Sequence, residues 1–97
     1  MLEYHAAYFN GEDGWIVAEV LDFPGALSQG RTLKSAQRMI RDALRVMAET
    51  LIEEGQGLPK PNARAKSKEA IFMEKIPSCR IVKEGGNQEI ESYQGRI

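Results

Sequence analysis

The feature that most constrains the fold is an amphipathic stretch between Thr32 and Gly55. Its apolar residues recur at intervals of three and four, which is the spacing of a helix with one buried face. They are Leu33, Ala36, Ile40, Ala43, Leu44, Met47, Ala48 and Leu51. The pattern predicts a helix from Leu33 to Glu54, about 33 Å long, which would cross a whole small sheet.

Both ends of this helix carry residues that favour a helix boundary. Thr32 is a good N-cap because its hydroxyl can accept from a free N–H of the first turn. A reciprocal capping box would need Glu or Gln at the position of Ser35, so we expect a one-sided cap. Gly55 is placed to adopt the left-handed conformation that commonly ends a helix.

The segment before the helix has the pattern of a three-stranded meander. Residues 2–9 are rich in aromatics and lack Gly and Pro, which favours a strand. Residues 10–14 contain an Asn-Gly and an Asp-Gly step, both typical of hairpins. Residues 15–22 form the predicted returning strand, which Phe23-Pro24-Gly25 ends, and residues 26–29 form a short third strand.

The segment after the helix predicts a loop over residues 56–66 and a fourth strand over 69–76, stopped by Pro77. Residues 79–83 suit a short fifth strand or an arm. The predicted fold class is therefore α+β: a three-stranded antiparallel meander, one long helix packed on the sheet, and a fourth strand. We expect one domain over 1–76 and a C-terminal arm or tail over 77–97.

The predicted sheet is apolar on both faces, although one helix can cover only one of them. Trp15 and part of the set Tyr4, Tyr8, Val17 and Leu21 would then need another cover. We expect these four residues to form the face of a homo-oligomer or a surface for a protein partner. The alternative is that the loop and tail fold back over this face.

Composition argues against several classes of function. The 97 residues carry 13 Lys and Arg against 14 Asp and Glu, so a net charge of −1 disfavours a general polyanion binder. The single cysteine, Cys79, permits no intrachain disulfide and makes a structural zinc site unexpected. With no apolar run long enough for a membrane and no secretory leader pattern, we expect a cytoplasmic protein without cofactors.

No motif in the sequence predicts an active site. His5 is the only histidine and lies in a predicted strand with no nucleophile beside it. Asp13 and Asp22 are adequately explained by a turn and a strand end, and the glycines match no phosphate-binding loop. We therefore expect a protein that is not an enzyme and holds no metal.

The polar side of the helix carries a basic stripe followed by acidic turns. The stripe consists of Lys34, Arg38, Arg41 and Arg45, and the acidic residues are Glu49, Glu53 and Glu54. This order opposes the helix dipole, although Arg45–Glu49 and Arg38–Asp42 pairs would offset part of the cost. The stripe could be a solvated face, contact an acidic partner or RNA, or pair antiparallel with the helix of another copy.

Three segments together resemble the HicB-like antitoxin family over about residues 3–76. They are Trp15–Gly25, which ends in Asp22-Phe23-Pro24-Gly25; the run Ser28-Gln29-Gly30-Arg31-Thr32 that opens the helix; and Leu58-Pro59-Lys60-Pro61 after it. The resemblance implies a partial ribonuclease-H-like β-β-β-α-β fold without the carboxylate cluster of that enzyme.

The same resemblance implies a function and a partner. Members of this family bind and neutralise a small messenger-RNA-cleaving ribonuclease, a HicA-like toxin, by covering its active site. They also self-associate, so the resemblance implies a homo-dimer or tetramer. The expected partner-binding residues are Trp15, Asp22, Phe23, Pro24 and Gln29, although turn and cap geometry explains most of the motif positions. Residues 77–97 are too few for the DNA-binding module of many relatives, so we do not expect DNA binding.

Two other functions stay open from the sequence. An orphan oligomeric or RNA-binding module could use the helix face of Arg38, Arg41 and Arg45. A degraded ribonuclease-H-like hydrolase would need clustered carboxylates that bind a divalent ion.

Overall fold

A computed structural model describes residues 2–77 as one four-stranded antiparallel sheet with one long helix. The elements are β1 (Glu3–Asn10), β2 (Ile16–Val20), β3 (Leu27–Gly30), α1 (Leu33–Glu53) and β4 (Phe72–Pro77). The strand order is β3-β2-β1-β4, so β1 and β2 are central and β3 and β4 are the two edges. The predicted α+β class and element order are confirmed, and the predicted fifth strand lies outside the described residues.

The turn between β1 and β2 follows from the Asp-Gly step. Asp13 and Gly14 have φ values of 56° and 80°, the left-handed region that Asp tolerates and Gly adopts freely. Residues Glu12–Gly14 form a single 3-10 turn, and the Gly11 N–H donates to the Trp15 carbonyl at 2.7 Å. This longer turn makes β2 begin at Ile16, one residue later than predicted.

The ends of α1 confirm one capping prediction and correct another. The Ser35 N–H donates to Thr32 Oγ1 at 3.0 Å, and the Thr32 N–H donates back to Ser35 Oγ at 3.4 Å. The expectation of a one-sided cap was therefore wrong, because the serine hydroxyl reaches the backbone in place of a longer Glu side chain. At the other end Gly55 has a φ of 75°, and its N–H donates to Ile52, as predicted for a left-handed cap.

The hydrophobic core lies between α1 and one face of the sheet, with α1 mainly over β3 and β2. Tyr4 and Tyr8 belong to this core and are fully buried, which corrects their assignment to an exposed oligomer face. The alternation of side chains along β1 places the two tyrosines on the same face of the sheet, but it does not tell which face the helix covers. Their hydroxyls donate to the Pro59 carbonyl and to Glu74 Oε2, both at 2.6 Å, so neither is buried unpaired.

The start of α1 packs directly on the backbone of β3 at Gly30. A Cβ added at Gly30 would lie 2.5 Å from the Ala36 nitrogen and 2.8 Å from the Ser35 carbonyl carbon. Both distances are far inside van der Waals contact, and both partners are backbone atoms that cannot rotate away. Gly30, one of the residues that carry the family resemblance, is thus required because the strand and the helix approach each other closely here.

We predict that Gly30→Ala lowers the free energy of unfolding by about 1–3 kcal/mol, because helix and strand must separate to admit the methyl group. Urea denaturation followed by circular dichroism measures this. Gly57→Ala is the matched control, since a Cβ there meets nothing within 4 Å. Equal losses from the two substitutions would contradict the packing argument.

Candidate protein-binding surface

No helix or further strand of residues 2–77 packs on the face of the sheet opposite α1, and the loop after α1 reaches this face near His5, where the Asn62 N–H donates to the carboxylate that also contacts His5. Because side chains alternate along a strand, the neighbours of the core residues point to this side. We call it the outer face. It comprises His5, Ala7 and Phe9 of β1, Val17 and Glu19 of β2 with Trp15 and Leu21 at its ends, Leu27 and Gln29 of β3, and Met73 and Lys75 of β4.

The outer face combines apolar side chains with one central carboxylate. Leu27 is 59% exposed, and Phe9, Val17, Leu21 and Met73 are half-buried. Strand register places Glu19 between Leu27 of β3 and Ala7 of β1. No residue of 2–77 forms an ion pair with Glu19, so its charge is available to a partner.

One end of the outer face holds a tryptophan with an arginine stacked on it. The Arg31 guanidinium carbon lies 4.5 Å from the Trp15 ring centroid, and Arg31 Nη1 contacts the Asp13 carbonyl at 3.5 Å. The contact arises because Ile16 pairs with Gly30, which brings their neighbours Trp15 and Arg31 together. Sequence reasoning missed Arg31, since only the β2–β3 register reveals the pair. Tryptophan and arginine are the residues most often found at the energetic centre of protein interfaces.

Asp22 is buried and bound by its own chain. Oδ1 accepts from the His5 N–H at 2.8 Å, while Oδ2 lies 2.7 Å from His5 Nδ1 and accepts from the Asn62 N–H at 2.9 Å. Burial by itself would raise the pKa of the Asp22 carboxyl, but the hydrogen bonds from His5 and Asn62 outweigh burial and lower this pKa below its ordinary value. The carboxylate therefore ties β1 to the turn after β2 and to the loop after α1. The prediction that Asp22 binds a partner is corrected, because its side chain is buried and both oxygens are occupied within the chain.

Of the other residues that were predicted to bind a partner, one lies in the core and two are exposed. Phe23 is buried in the core, with its ring 5.2 Å from the Tyr4 ring in an edge-on arrangement. Its assignment to an exposed binding site is corrected, because the Pro24-Gly25 bend turns the ring inward. Pro24 and Gln29 are exposed, and Gln29 shares the outer face with Trp15.

The basic stripe of α1 is largely occupied by contacts within the chain. Arg41 forms an ion pair with Glu74 of β4 at 3.2 Å, and the same carboxylate accepts from Tyr8 and Gln37. Burial, reinforced by the hydrogen bond to Glu74, raises the pKa of Tyr8 well above its ordinary value.

Of the two ion pairs predicted along the helix, the structure contains one. Arg45 contacts Glu49 at 3.4 Å, as predicted. Arg45 also pairs with Asp42 at 2.6 Å, so Asp42 is bound to Arg45 rather than to the predicted Arg38. Within residues 2–77, Lys34 and Arg38 are the members of the stripe that form no ion pair.

Two properties of residues 2–77 bear on other functions. No group of three or more His, Cys, Asp or Glu side chains among residues 2–77 is arranged to hold a metal ion. No helix in this part of the chain is both long enough and apolar enough to cross a membrane.

We predict that Asp22→Asn lowers the free energy of unfolding at neutral pH by about 1–3 kcal/mol, because the amide NH₂ faces donors that the carboxylate satisfied. Since the folded-state pKa is lowered, the carboxylate stabilises the fold above about pH 4 and this contribution is lost as the pH falls through the folded value. Urea unfolding at about pH 7 and about pH 3 measures both effects. The exposed Asp42→Asn is the control, and equal changes in the two variants would contradict the role of Asp22.

Comparisons with known proteins agree with this architecture. Residues 6–76 match the family profile described as the HicB-like antitoxin of bacterial toxin–antitoxin systems. Over 62 residues the chain is 34% identical to the UPF0150 protein Ta0767 of Thermoplasma acidophilum, which covers 64% of this chain and 90% of that protein. The N-terminal domain of the Burkholderia pseudomallei antitoxin HicB has a TM-score of 0.67 to this structure at 24% identity, covering 78% of this chain and 96% of that domain. The last comparison shows a shared fold.

Proposed function

Since this chain belongs to the HicB-like antitoxin family of bacterial toxin–antitoxin systems, we propose that it neutralises a cognate HicA-like ribonuclease toxin by binding over its active site. In this proposal the chain acts by binding and carries out no catalysis. The two proteins would meet in the cytoplasm, where the toxin would cleave messenger RNA.

The observation that carries the proposal is the outer face of the sheet, over which no helix or further strand of residues 2–77 packs. Exposed apolar patches with a polar rim mark protein-binding surfaces, because their burial is favourable only when a partner supplies the other side. On this face Val17 lies two residues along the chain from Trp15, and Leu21 lies at the opposite end of β2. We assign this surface to the toxin.

Glu19 supports the choice of an RNA-binding protein as the partner. A ribonuclease holds its substrate through cationic groups that contact phosphates. The Glu19 carboxylate, surrounded by apolar side chains and free of ion pairs within residues 2–77, can occupy such a cationic site in place of a phosphate. A charge pair that is desolvated on binding contributes specificity as well as affinity.

The basic stripe gives the RNA-binding alternative less support. Arg41 and Arg45 already neutralise carboxylates of this chain, so recruitment by RNA would have to break those pairs. An RNA gel shift at low and moderate salt, with Arg38→Ala beside the parent protein, separates the two functions. Strongly salt-dependent RNA binding that this substitution abolishes would favour the alternative.

We predict that Trp15→Ala weakens binding to the cognate toxin by about tenfold or more, as expected for a large aromatic anchor in an interface. Arg38→Ala, an exposed residue of the helix, changes this affinity by less than about threefold. Copurification followed by titration calorimetry measures both values. Equal losses from the two variants would contradict an apolar recognition surface on the sheet.

We also predict that Glu19→Gln weakens toxin binding by about tenfold or more and makes the remaining affinity less dependent on salt. The change conserves the size of the side chain, so the circular dichroism spectrum of the variant should match that of the parent protein. Inhibition of the toxin in an RNA-cleavage assay should weaken in parallel. An unchanged affinity would remove Glu19 from the proposed interface.

A further inference from the structure

A buried carboxylate holds the imidazole of His5 in one position on the outer face. His5 Nδ1 lies 2.7 Å from Asp22 Oδ2, and the Asp22 side chain is 2% exposed. The same carboxylate accepts from the backbone N–H groups of His5 and Asn62. The Leu21 N–H donates to the His5 carbonyl at 2.9 Å, so the backbone of His5 is bound as well. Both the backbone and the ring of His5 are therefore fixed before any partner binds.

The contact with Asp22 decides which nitrogen of the ring carries the proton. Although burial opposes it, the hydrogen bonds from His5 and Asn62 lower the pKa of the Asp22 carboxyl, so this group is a carboxylate at neutral pH. A carboxylate can only accept, and therefore Nδ1 must be the donor of the bond between them. In the neutral ring the other nitrogen, Nε2, then carries a lone pair and can accept a hydrogen bond.

This second nitrogen has no hydrogen-bond partner in the part of the chain that the structure describes. Within residues 2–77 the ring of His5 makes its hydrogen bond through Nδ1, and no group bonds to Nε2. The side chain is 12% exposed, so only a small part of it contacts water. Polar atoms in protein interiors are normally satisfied. A partner that covers the outer face would exclude the remaining water, and it would then have to supply a donor to Nε2.

The register and the hydrogen bonds place four charged side chains around His5. They are Asp22 in the turn after β2, Lys75 of β4, Glu3 of β1 and Glu19 of β2. Lys75 pairs with His5 across the strands, and its Nζ lies 4.0 Å from Glu3 Oε1. Glu19 pairs with Ala7, so it is a diagonal neighbour of His5 at about 7–8 Å. Because the carboxylates outnumber the ammonium group here, this part of the outer face suits a cationic group of a partner.

We propose that His5 is a recognition residue of the toxin surface, and that its Nε2 accepts a hydrogen bond from a cationic side chain of the toxin. This inference rests on the proposed function and adds a second acceptor beside Glu19. Asp22 is a positioning residue, since it orients the ring and keeps the proton on Nδ1. Protonation of Nε2 removes the acceptor and places a positive charge against a cationic group. The toxin is therefore bound by the neutral ring and released as the pH falls.

The position of the proton can be measured in the free protein, because His5 is the only histidine of the chain. Long-range ¹H–¹⁵N NMR of the full chain distinguishes a protonated ring nitrogen from a bare one. At about pH 8, where histidine is ordinarily neutral, we expect a protonated Nδ1 and a bare Nε2. The opposite tautomer, or an equal mixture of the two, would overturn the proposal whether or not the toxin binds.

Two amide substitutions separate recognition from folding. In His5→Asn the amide NH₂ takes the place of Nδ1 and can still donate to Asp22, but nothing replaces Nε2. In His5→Gln the longer side chain carries its amide to the place of Nε2, but the contact with Asp22 is lost. We expect the urea midpoint of unfolding to stay close to that of the parent protein in His5→Asn and to fall in His5→Gln.

Toxin affinity should follow the reverse order. By titration calorimetry with the purified cognate toxin, His5→Asn should bind about tenfold or more weakly than the parent protein, as expected for a lost hydrogen bond to a charged group. His5→Gln should retain more of the affinity than His5→Asn. If the affinities instead follow the urea midpoints, the role of His5 is structural and the proposal is overturned.

The pH dependence of the affinity is a readout that a structural role of His5 would not change. The parent protein should bind the toxin about tenfold or more weakly at about pH 5.5 than at about pH 8, the range in which histidine changes charge. His5→Asn should show a smaller dependence, since the titrating groups of the toxin contribute equally to both measurements. Equal dependence in the two proteins would overturn the proposal, as would a parent affinity that rises on acidification.

Failure of this proposal is distinguishable from failure of the proposed function. Toxin binding that is strong but insensitive to His5→Asn at every pH overturns the role of His5 and leaves the proposed function standing. A parent protein that binds no toxin at any pH overturns both.

Discussion

One helix can cover only one face of a sheet, and the rest of this structure depends on that constraint. α1 buries the face that carries Tyr4, Tyr8, Ala18 and Val20. The strand sequences are nevertheless apolar on the other side as well, with Phe9 and Val17 opposite each other. An uncovered apolar face is stable in water only at a cost, and a partner that covers it removes the cost. In the proposed function, the toxin supplies this cover.

A buried carboxylate and a half-buried one hold the scaffold on which this surface lies. Asp22 joins β1 to the loop after α1, and Glu74 joins β4 to β1 and to α1. Each accepts from donors far away in the sequence, so each is satisfied only when the sheet and helix are assembled. We infer that the two carboxylates favour this fold over alternative arrangements, because a buried carboxylate without its donors would be strongly destabilising.

Local patterns in the sequence predicted the helix and the strands. Contacts between distant residues decided which face of the sheet is buried and how the strands are aligned. The apolar period and Gly55 correctly placed the helix, and the Asp-Gly step placed the hairpin. Alternation along β1 could not tell which face lies under the helix, because Pro59 and Glu74, which receive the tyrosine hydroxyls, lie more than 50 residues away. The pairing of Trp15 with Arg31 likewise depends on the β2–β3 register, which no local pattern specified.

The assignment of the outer face to the toxin is the central claim, and a cross-saturation NMR experiment tests it most directly. Deuterated, methyl-labelled antitoxin is bound to protonated toxin, and only methyl groups in contact with the toxin lose intensity. We expect losses at Val17, Leu21 and Leu27 of the outer face, with Val46 and Ile52 of the helix unaffected. Losses confined to the helix methyl groups would contradict it.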